Sequence, residues 1–171
     1  MNDTNELGSI KLRNPLSTDG HAVHQLIANC SPLDTNSMYC NLLQCTHFSR
    51  TSVVAEANGQ MVGFVSGYLL PDAPNTLFVW QVAVAKAARG QGVASKMLNH
   101  LINSDAGISY LHTTITQGNQ ASWATFERLA KQHNAPLSQR AFFSKDTHFN
   151  QRHDTEYLVE IGPFPLSTLS H

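Results

Sequence analysis

The chain alternates between stretches with the apolar spacing of strands and stretches with that of helices. A short apolar run at residues 10–13 predicts a first strand. Ser17 and Asp19 follow, and both residue types cap helix N-termini, so a helix is predicted behind them. A second helix is predicted to begin with Asn36 or Ser37 as its cap and to continue through YCNLLQCTHF. The apolar positions of the first helix are Val23, Leu26 and Ile27.

The segment TSVVAEANGQMVGFVSGYLL predicts a β-hairpin. Asn58 and Gly59 at its centre accept the positive φ angles of a type I′ turn, and β-rich runs lie on both sides. Pro71 and Pro74 are expected to end the second strand, because proline cannot donate to a sheet ladder. The mostly apolar TLFVWQVAV that follows predicts a central strand.

The second half of the chain continues with a helix, a strand, a helix and a strand. Apolar spacing predicts a helix from Gly92, a strand at YLHTTI, a helix over residues 120–133 and a last strand in TEYLVEI. The polar SKDTHFNQRHD before that strand predicts a loop. This order favours an α/β fold with one mixed sheet and helices on its faces. The residues that share a face are Val93, Met97, Leu98, Leu101 and Ile102 on one helix, and Ser122, Phe126, Leu129, Ala130 and His133 on the other.

Length and composition favour one domain. A chain of 171 residues, 42% of them hydrophobic, can bury one sizeable core, so residues 1–171 are expected to form a single domain. Its core is expected over residues 10–165, with residues 1–9 disordered. The formal net charge is -1 and the basic residues are scattered, which argues against a nucleic-acid partner. No window has the roughly 20 apolar residues that cross a bilayer, and the N-terminus lacks a signal-peptide pattern, so no membrane association is expected.

The cysteines and histidines form no recognised motif. Cys30, Cys40 and Cys45 are odd in number, and two of them fall on the predicted second helix. Buried, reduced thiols are therefore expected, and with them a cytoplasmic location. A catalytic cysteine would need a histidine partner, which the sequence does not place. His21 and His24 have no third ligand nearby, so no metal site is expected.

Two glycines and an arginine, in RGQGVA at residues 89–94, stand at the junction of a predicted strand and a predicted helix. The first N–H groups of a helix have no intrahelical acceptor and lie at the positive end of its dipole, so an anion is the natural ligand. A Walker loop requires Lys after its last glycine, and Val93 follows Gly92. A dinucleotide site requires an acidic residue about 20 positions further on, where YLHTTIT has none. An anion loop of another kind and an ordinary surface turn both remain open.

The same segment resembles the acetyl-CoA loop of the GCN5-related N-acetyltransferase (GNAT) family. Arg89, Gly92 and Ala94 match its signature Arg/Gln-x-x-Gly-x-Gly/Ala, and residues 82–84 match the V-x-V strand before it. The resemblance implies the GNAT fold, with a single mixed, largely antiparallel sheet flanked by helices, and acetyl-CoA as co-substrate. Phe126 departs from the family pattern, in which a tyrosine at this position often protonates the departing thiolate. The implied cofactor contacts are Val82, Val84, Arg89, Gly90, Gln91, Gly92, Val93, Ala94, Asn119 and Phe126.

Longer segments resemble the diaminobutyrate acetyltransferases within that family. They are SPLDTNSMYCNLLQC, TSVVAEANGQMVGFVSGY, TLFVWQVAVAKAARGQGVASKML, TTITQGNQASWATF and the late HDTE. The resemblance implies transfer of an acetyl group from acetyl-CoA to the 4-amino group of L-2,4-diaminobutyrate, in the biosynthesis of the osmoprotectant ectoine. It also implies a homodimer.

A diamino acid requires carboxylates for its ammonium groups and donors for its own carboxylate. Asp34 and Glu156 are the candidate carboxylates, although Asp34 is also a residue type that forms turns. Glu160, two positions beyond Leu158, is expected to be a solvated strand carboxylate. His153, in the polar loop three residues before Glu156, is expected to be either a surface histidine or a residue of the same site.

The remaining candidate substrate contacts each have a structural alternative. Asn36 and Ser37 are expected to cap the second helix or to bind substrate. Tyr39 is expected either in the core or with its hydroxyl toward the substrate. Trp80 and Gln81 point to opposite faces of their strand, and the tryptophan ring either packs in the core or holds a cationic amine.

The expected mechanism is direct attack of the neutral 4-amine on the thioester. An ammonium of this type has a pKa near ~10, so a base must remove its proton, and Glu156 or His153 are the candidates. The resemblance assigns the oxyanion contact to the backbone N–H of Val84. Because Phe126 has no proton to donate, Tyr39 or water is expected to protonate the thiolate. A non-catalytic acyl-CoA-binding module, or acetylation of another small or peptide amine, remain as alternatives.

Overall fold

Seven strands and four helices make up the described part of the chain. The computed structural model describes residues 7–105 and 107–165. The strands are β1 (Lys11–Arg13), β2 (Val53–Ala57), β3 (Gln60–Leu70), β4 (Ala73–Val84), β5 (Tyr110–Thr116), β6 (Leu137–Phe143) and β7 (Glu156–Ile161). The helices are α1 (Gly20–Ala28), α2 (Met38–His47), α3 (Val93–Ser104) and α4 (Gln120–Gln132). Short 3-10 turns lie at Ser17–Asp19, Ser49–Thr51 and Lys86–Ala88.

The strands form one seven-stranded sheet in the order β1-β2-β3-β4-β5-β7-β6. β4 and β5 pair in parallel, whereas the registers of β1 with β2, β2 with β3, β5 with β7 and β6 with β7 are antiparallel. The predicted mixed, largely antiparallel sheet is therefore confirmed.

The chain divides into two compact units. The first contains the described residues up to Tyr68 together with Gln81–Ser104, and the second contains Leu69–Trp80 together with the described residues from Asp105 onward. A single domain over residues 1–171 stays a prediction. Residues 1–6 of the segment expected to be disordered lie outside the described residues.

The hairpin turn of the first unit follows the prediction. Ala57 of β2 pairs with Gln60 of β3, so Asn58 and Gly59 form a two-residue loop. Their φ angles are 52° and 74°, and a type I′ turn requires positive values at both positions. The turn thereby sets the register between the two strands.

The helices of the first unit bury the faces that apolar spacing predicted, and α2 also buries polar side chains. Asn41 and Gln44 of α2 are fully buried, and the Asn41 amide donates a 3.0 Å hydrogen bond to Gln44 Oε1. His24 Nδ1 lies 3.0 Å from Asn41 Oδ1, so these polar groups form a bonded chain. The predicted apolar positions that are buried are Val23, Leu26 and Ile27 on α1, and Val93, Met97, Leu98, Leu101 and Ile102 on α3.

The predicted cap of α2 is confirmed, whereas Asp19 occupies the N-cap position of α1 without a side-chain capping bond. Ser37, and not Asn36, is the N-cap of α2, and its hydroxyl accepts a hydrogen bond from a backbone N–H of the first turn. Ser17 and Asp19 form a 3-10 turn before α1, and Asp19 makes no capping bond to that helix. The carboxylate of Asp19 is engaged instead by the guanidinium of Arg13.

The second unit contains a strand that the sequence pattern did not predict. LSQRAFF forms β6 at the edge of the sheet, and all of its residues except Leu137 are exposed. Because neither face is well buried, β6 lacks the apolar alternation of a half-buried strand. Pro74 was expected to end a strand but lies inside β4, where pairing with β5 begins only at Thr76, so it removes no donor from that ladder. Helix α4 buries Phe126, Leu129 and Ala130, as predicted.

The three cysteines are free thiols. Cys30 and Cys45 are buried, as expected, and burial raises the pKa of Cys45 to about 11. Cys40 is only half-buried, and burial raises its pKa as well. Within residues 7–105 and 107–165, no helix is long and apolar enough to cross a membrane. The same residues include no group of three or more His, Cys, Asp or Glu that could hold a metal ion.

Arg13 joins β1 both to the turn before α1 and to β2. Its guanidinium donates to both carboxylate oxygens of Asp19, at 2.7 Å and 2.9 Å, and to Glu56 Oε1, at 2.6 Å and 3.0 Å. All three side chains are less than one-third exposed, so water screens these charges only partly. Hydrogen bonds from Arg13 hold the pKa of Asp19 below its ordinary value, against the opposing effect of burial.

Replacing Asp19 by Asn is expected to lower the free energy of unfolding at pH 7 by about 1.5–3 kcal/mol, the usual contribution of hydrogen bonds to charged groups. Because the pKa of Asp19 is depressed in the folded state, its stabilising contribution is present above the pKa of the unfolded chain. That contribution is lost as the pH falls through the folded pKa. Urea unfolding at several pH values should therefore show the two proteins converging at acid pH.

The matched control is Asp72→Asn, in the exposed turn after β3, which should change the free energy of unfolding little at any pH. A deficit of Asp19→Asn that stays constant from neutral to acid pH would contradict this account.

Candidate active site

The loop between β4 and α3 has a backbone conformation that demands glycine at two positions. Gly90 and Gly92 have φ angles of 76° and 75°, in the left-handed region that other residues rarely adopt. A Cβ atom built at either position would meet no atom within 4 Å, so the backbone conformation, and not lack of space, requires glycine here. α3 begins immediately afterwards, at Val93. The predicted strand, glycine loop and helix order is thus confirmed.

This loop fits an anionic group. The N-terminus of α3 presents backbone N–H groups at the positive end of the helix dipole, and the glycines leave the approach open. Gln91 and Gly92, just before α3, are exposed, and Ala94 in its first turn is half-buried. Contact of these residues with the diphosphate of acetyl-CoA stays a prediction.

The side chain of Arg89 folds back onto the end of β4. Its Nε donates a 3.2 Å hydrogen bond to the carbonyl of Val84, which also accepts a 3.4 Å hydrogen bond from Cys30 Sγ. Arg89 therefore anchors the loop to its preceding strand. Its predicted contact with a pyrophosphate stays a prediction.

Residues 82–84 end a strand with an alternating burial pattern. Ala83 is fully buried, while Val82 and Val84 are half-buried on the other face. The register of β4 with β5 comprises four pairs and ends at Val79, so these residues lie beyond it. The backbone N–H of Val84 as an oxyanion contact stays a prediction.

Gln81 connects β4 to the segment before α2. Its side chain is 9% exposed, and its Nε2 donates a 2.7 Å hydrogen bond to the backbone carbonyl of Asp34. Its Oε1 is buried and has no hydrogen-bond partner among the described residues. The structure thus brings Gln81 and Asp34 together, through the backbone of Asp34, while the Asp34 residue itself is exposed.

Other predicted substrate residues have surface positions. Tyr39 is 69% exposed and Trp80 is 44% exposed, so neither is a core aromatic. Ser37 caps α2 and Asn36 is half-buried just before it. Trp80 and Gln81 differ in exposure, as the alternation of strand side chains requires.

A histidine and a carboxylate meet at the start of β7. His153 Nε2 lies 3.7 Å from Glu156 Oε1, with the two side chains 35% and 19% exposed. His153 Nδ1 lies 2.7 Å from the carbonyl oxygen of Asp154. A carbonyl only accepts hydrogen bonds, so Nδ1 carries a hydrogen, and in the neutral ring Nε2 is the bare nitrogen that faces Glu156. The structure therefore brings these two candidate residues together.

Asn119 and Phe126 have structural roles in the second unit. Asn119 is the N-cap of α4, and its Oδ1 accepts a 3.2 Å hydrogen bond from the backbone N–H of Ser122. Phe126 is 3% exposed and packs in the core. Their predicted contacts with acetyl-CoA stay predictions.

The expectation that Glu160 is simply solvated is wrong. Glu160 is partly buried. Its Oε1 lies 3.5 Å from His112 Nε2, and its Oε2 lies 3.9 Å from Arg140 Nε. Burial lowers the pKa of His112, and Glu160 opposes that effect. These pairs were not predictable from local sequence, because each joins residues of different strands.

Sequence reasoning also missed the aromatic side chains around His153. Phe149 packs against the imidazole, with ring centroids 4.5 Å apart, and Phe143 packs against Phe149 at 6.4 Å. Phe143 belongs to β6, the strand that was not predicted. Only the four-residue spacing of Phe149 and His153 could have suggested their contact.

Comparison with known proteins agrees with this geometry. Residues 21–130 match the model of the acetyltransferase (GNAT) family. The chain is 51% identical to L-2,4-diaminobutyric acid acetyltransferase from Methylotuvimicrobium alcaliphilum over 95% of both chains. It is 44% identical to the enzyme of that name from Halomonas elongata, over 93% of this chain and 84% of the other.

Solved structures show the same likeness. Diaminobutyrate acetyltransferase from Paenibacillus lautus, in complex with its substrate L-2,4-diaminobutyric acid and coenzyme A, superposes with a TM-score of 0.86. It is 37% identical and covers 92% of this chain and 97% of its own. The ribosomal-protein-S18-alanine N-acetyltransferase from Escherichia coli, at 15% identity over 95% of this chain and 99% of its own, shares the fold with a TM-score of 0.66. The chain therefore belongs to the acetyltransferase (GNAT) family and, within it, to the L-2,4-diaminobutyric acid acetyltransferases.

Proposed function

We propose that this protein transfers the acetyl group of acetyl-CoA to the 4-amino group of L-2,4-diaminobutyrate, which gives N4-acetyl-L-2,4-diaminobutyrate, a precursor of ectoine. The observation that carries the proposal is the 51% identity, over 95% of both chains, to a protein named for this activity. A cytoplasmic location is part of the proposal and is supported by the three free thiols.

The loop at residues 89–94 is proposed to hold the diphosphate of acetyl-CoA. Its two left-handed glycines and the N-terminus of α3 supply backbone N–H groups and an open approach. When bound, acetyl-CoA supplies an activated acetyl group, whose C–S bond breaks as a bond forms between its carbonyl carbon and the amine nitrogen. The Val84 N–H is proposed to donate to the oxygen on which negative charge develops.

His153 and Glu156 are proposed to take the proton from the substrate ammonium. A primary ammonium has a pKa near ~10, so only about one molecule in 10³ is neutral at pH 7. The bare Nε2 of His153 accepts the proton, and the resulting imidazolium then donates from Nε2 toward Glu156. The carboxylate stabilises this charged ring, because opposite charges 3.7 Å apart attract. A single water molecule between substrate and base would serve equally well.

The substrate is proposed to contact residues that present polar or aromatic surface. The buried Oε1 of Gln81 lacks a donor among the described residues, and an ammonium group would supply one. Asp34 supplies a carboxylate, and the exposed ring of Trp80 can hold a cation at its face. Asn36 and Ser37 adjoin Asp34 and can contact the substrate carboxylate.

Release of the CoA thiolate is proposed to use Tyr39 or water as the proton donor. Tyr39 is exposed and has a hydroxyl, whereas the buried Phe126 has no proton to give. A thiol pKa near ~8.5 also makes departure as a thiolate tolerable.

A homodimer is part of the proposal, with β6 as the pairing edge. β6 ends the sheet order and exposes Phe142 and Phe143. Its unpaired backbone groups can pair with those of a second copy. Antiparallel pairing centred on Ala141 would set Arg140 of one copy opposite Phe142 of the other. Within one chain, Arg140 Cζ already lies 5.4 Å from the centroid of the Phe142 ring, so the pairing would repeat this cation–π contact between copies.

The proposed activity predicts release of free CoA when the purified protein receives acetyl-CoA and L-2,4-diaminobutyrate. Thiol titration measures the rate, and proton NMR of the product identifies the acetylated nitrogen. Ornithine, lysine and short peptides should react more slowly. Binding of acetyl-CoA with no turnover of any amine would instead favour a non-catalytic acyl-CoA-binding module, for which the buried Phe126 is the supporting observation.

Glu156→Gln is expected to lower kcat by about 100-fold or more, because it removes the carboxylate that stabilises the imidazolium of the proposed His153 base, and general-base catalysis contributes roughly 10² to 10⁴. The KM for acetyl-CoA should change little. Glu160→Gln is the matched control, because Glu160 is a carboxylate on the same strand that pairs with His112 and Arg140. Equal losses of kcat in the two variants would contradict the proposed role of Glu156 in proton removal.

The proposed dimer predicts twice the chain mass by light scattering after size-exclusion chromatography. Ala141→Lys should give the mass of one chain, because it sets two ammonium groups against each other at the symmetry axis. Ser138→Lys, near the other end of β6, is the control. A dimer that survives Ala141→Lys would exclude this pairing.

A further inference from the structure

We propose that Phe149 is a positioning residue: its ring holds the imidazole of His153 in the orientation that faces Glu156. This inference rests on the proposed function, which gives His153 and Glu156 their part in proton removal. It concerns a residue outside the loop and substrate positions already described.

Two contacts restrain the imidazole of His153. The Nδ1–H bond to the carbonyl of Asp154, at 2.7 Å, fixes the ring nitrogens. The ring of Phe149 lies against it with centroids 4.5 Å apart and an interplanar angle of 38°. Without a ring on that side, a histidine that is 35% exposed could rotate away from Glu156 while it keeps its hydrogen bond. Phe149 therefore limits the motion that the hydrogen bond alone permits.

The segment that carries both rings is held by its own hydrogen bonds. The backbone N–H of Phe149 donates to the carbonyl of Ser144 at 3.2 Å, and the backbone N–H of Ser144 donates to His148 Nδ1 at 2.9 Å. Lys145 N–H donates to Thr155 Oγ1 at 3.1 Å, which joins the two ends of the segment. Residues 144–155 thus form a compact loop.

The chain between Phe149 and His153 passes through two consecutive left-handed residues. Asn150 and Gln151 have φ angles of 48° and 66°. Such a conformation costs free energy for residues other than glycine, and is kept where surrounding contacts determine it. The backbone N–H of Gln151 donates to the carbonyl of Lys145 at 2.9 Å, which is one such contact. The result is a reversal that brings rings four residues apart into contact outside a helix.

The aromatic cluster is tied to the same strand pair that carries Glu156. Phe149 packs against Phe143 at 6.4 Å with an interplanar angle of 77°, an edge-to-face arrangement. Phe143 of β6 is in turn the register partner of Glu156 in β7. Phe143 thus contacts the ring that packs against the imidazole and also pairs with the residue that carries the carboxylate. Through Phe143, Phe149 sets the separation of the imidazole and the carboxylate.

The test is a double-mutant cycle with Phe149→Leu and His153→Asn. Phe149→Leu keeps an apolar side chain of similar size but removes the flat ring. It should lower kcat for diaminobutyrate by about tenfold, while the KM for acetyl-CoA changes less than twofold. In the His153→Asn background, Phe149→Leu should cause no further loss, because Phe149 acts through His153.

Phe149→Tyr keeps the ring and should retain most of the activity. Phe142→Leu is the matched control, since Phe142 belongs to the same cluster but packs against Phe143, at 4.4 Å, one ring further from His153. It should change kcat less than twofold. Urea unfolding of each variant distinguishes a loss of stability from a displaced imidazole of His153. If Phe149→Leu does not fold, Phe149→Met replaces it.

The inference is overturned if Phe149→Leu lowers kcat equally in both backgrounds, or if it leaves kcat unchanged in the background that retains His153. It is also overturned if His153→Asn itself has no effect. Failure of the proposed function is a separate result, because it would appear as absence of turnover in the unsubstituted protein.

Discussion

Parallel pairing of β4 with β5 is the constraint on which the rest of the structure depends. Two parallel neighbours cannot be joined by a tight turn, so the chain must cross over between them, and here α3 makes that crossover. The glycine loop is the entry to this helix, with Gly90 and Gly92 in the left-handed region. The register stops at Val79, whereas β4 continues to Val84, where Arg89 anchors the loop. The same topology therefore produces the strand end and the glycine loop.

Charged residues make up only 13% of this protein, and several of them form ion pairs between separate elements. Arg13 binds two carboxylates where β1, β2 and the turn before α1 meet. Glu160 lies between His112 and Arg140, in the sheet of the second unit. His153 and Glu156 form a further close pair, with Nε2 of the ring 3.7 Å from Oε1 of the carboxylate.

Several parts of the fold and of the site could be predicted from local sequence. Asn58 and Gly59 form the turn that their residue types favour, and Ser37 caps α2. These features depend on backbone preferences that act over a few residues. The predictions failed where a residue distant in the chain determines the local structure. The carboxylate of Asp19, the N-cap residue of α1, binds Arg13 and makes no capping hydrogen bond. β6 was not predicted because an exposed edge strand has no buried apolar face.

The sequence by itself determined the glycine loop before α3 and the two-residue turn at Asn58 and Gly59, because each depends on residues close together in the chain. Only the tertiary structure decided that Gln81 bonds to the backbone of Asp34, that Glu160 pairs across strands, and that Phe149 and Phe143 support His153. These contacts depend on strand register and on a loop reversal. Neither leaves a periodic pattern in the sequence, because both arise only when separate segments pack together.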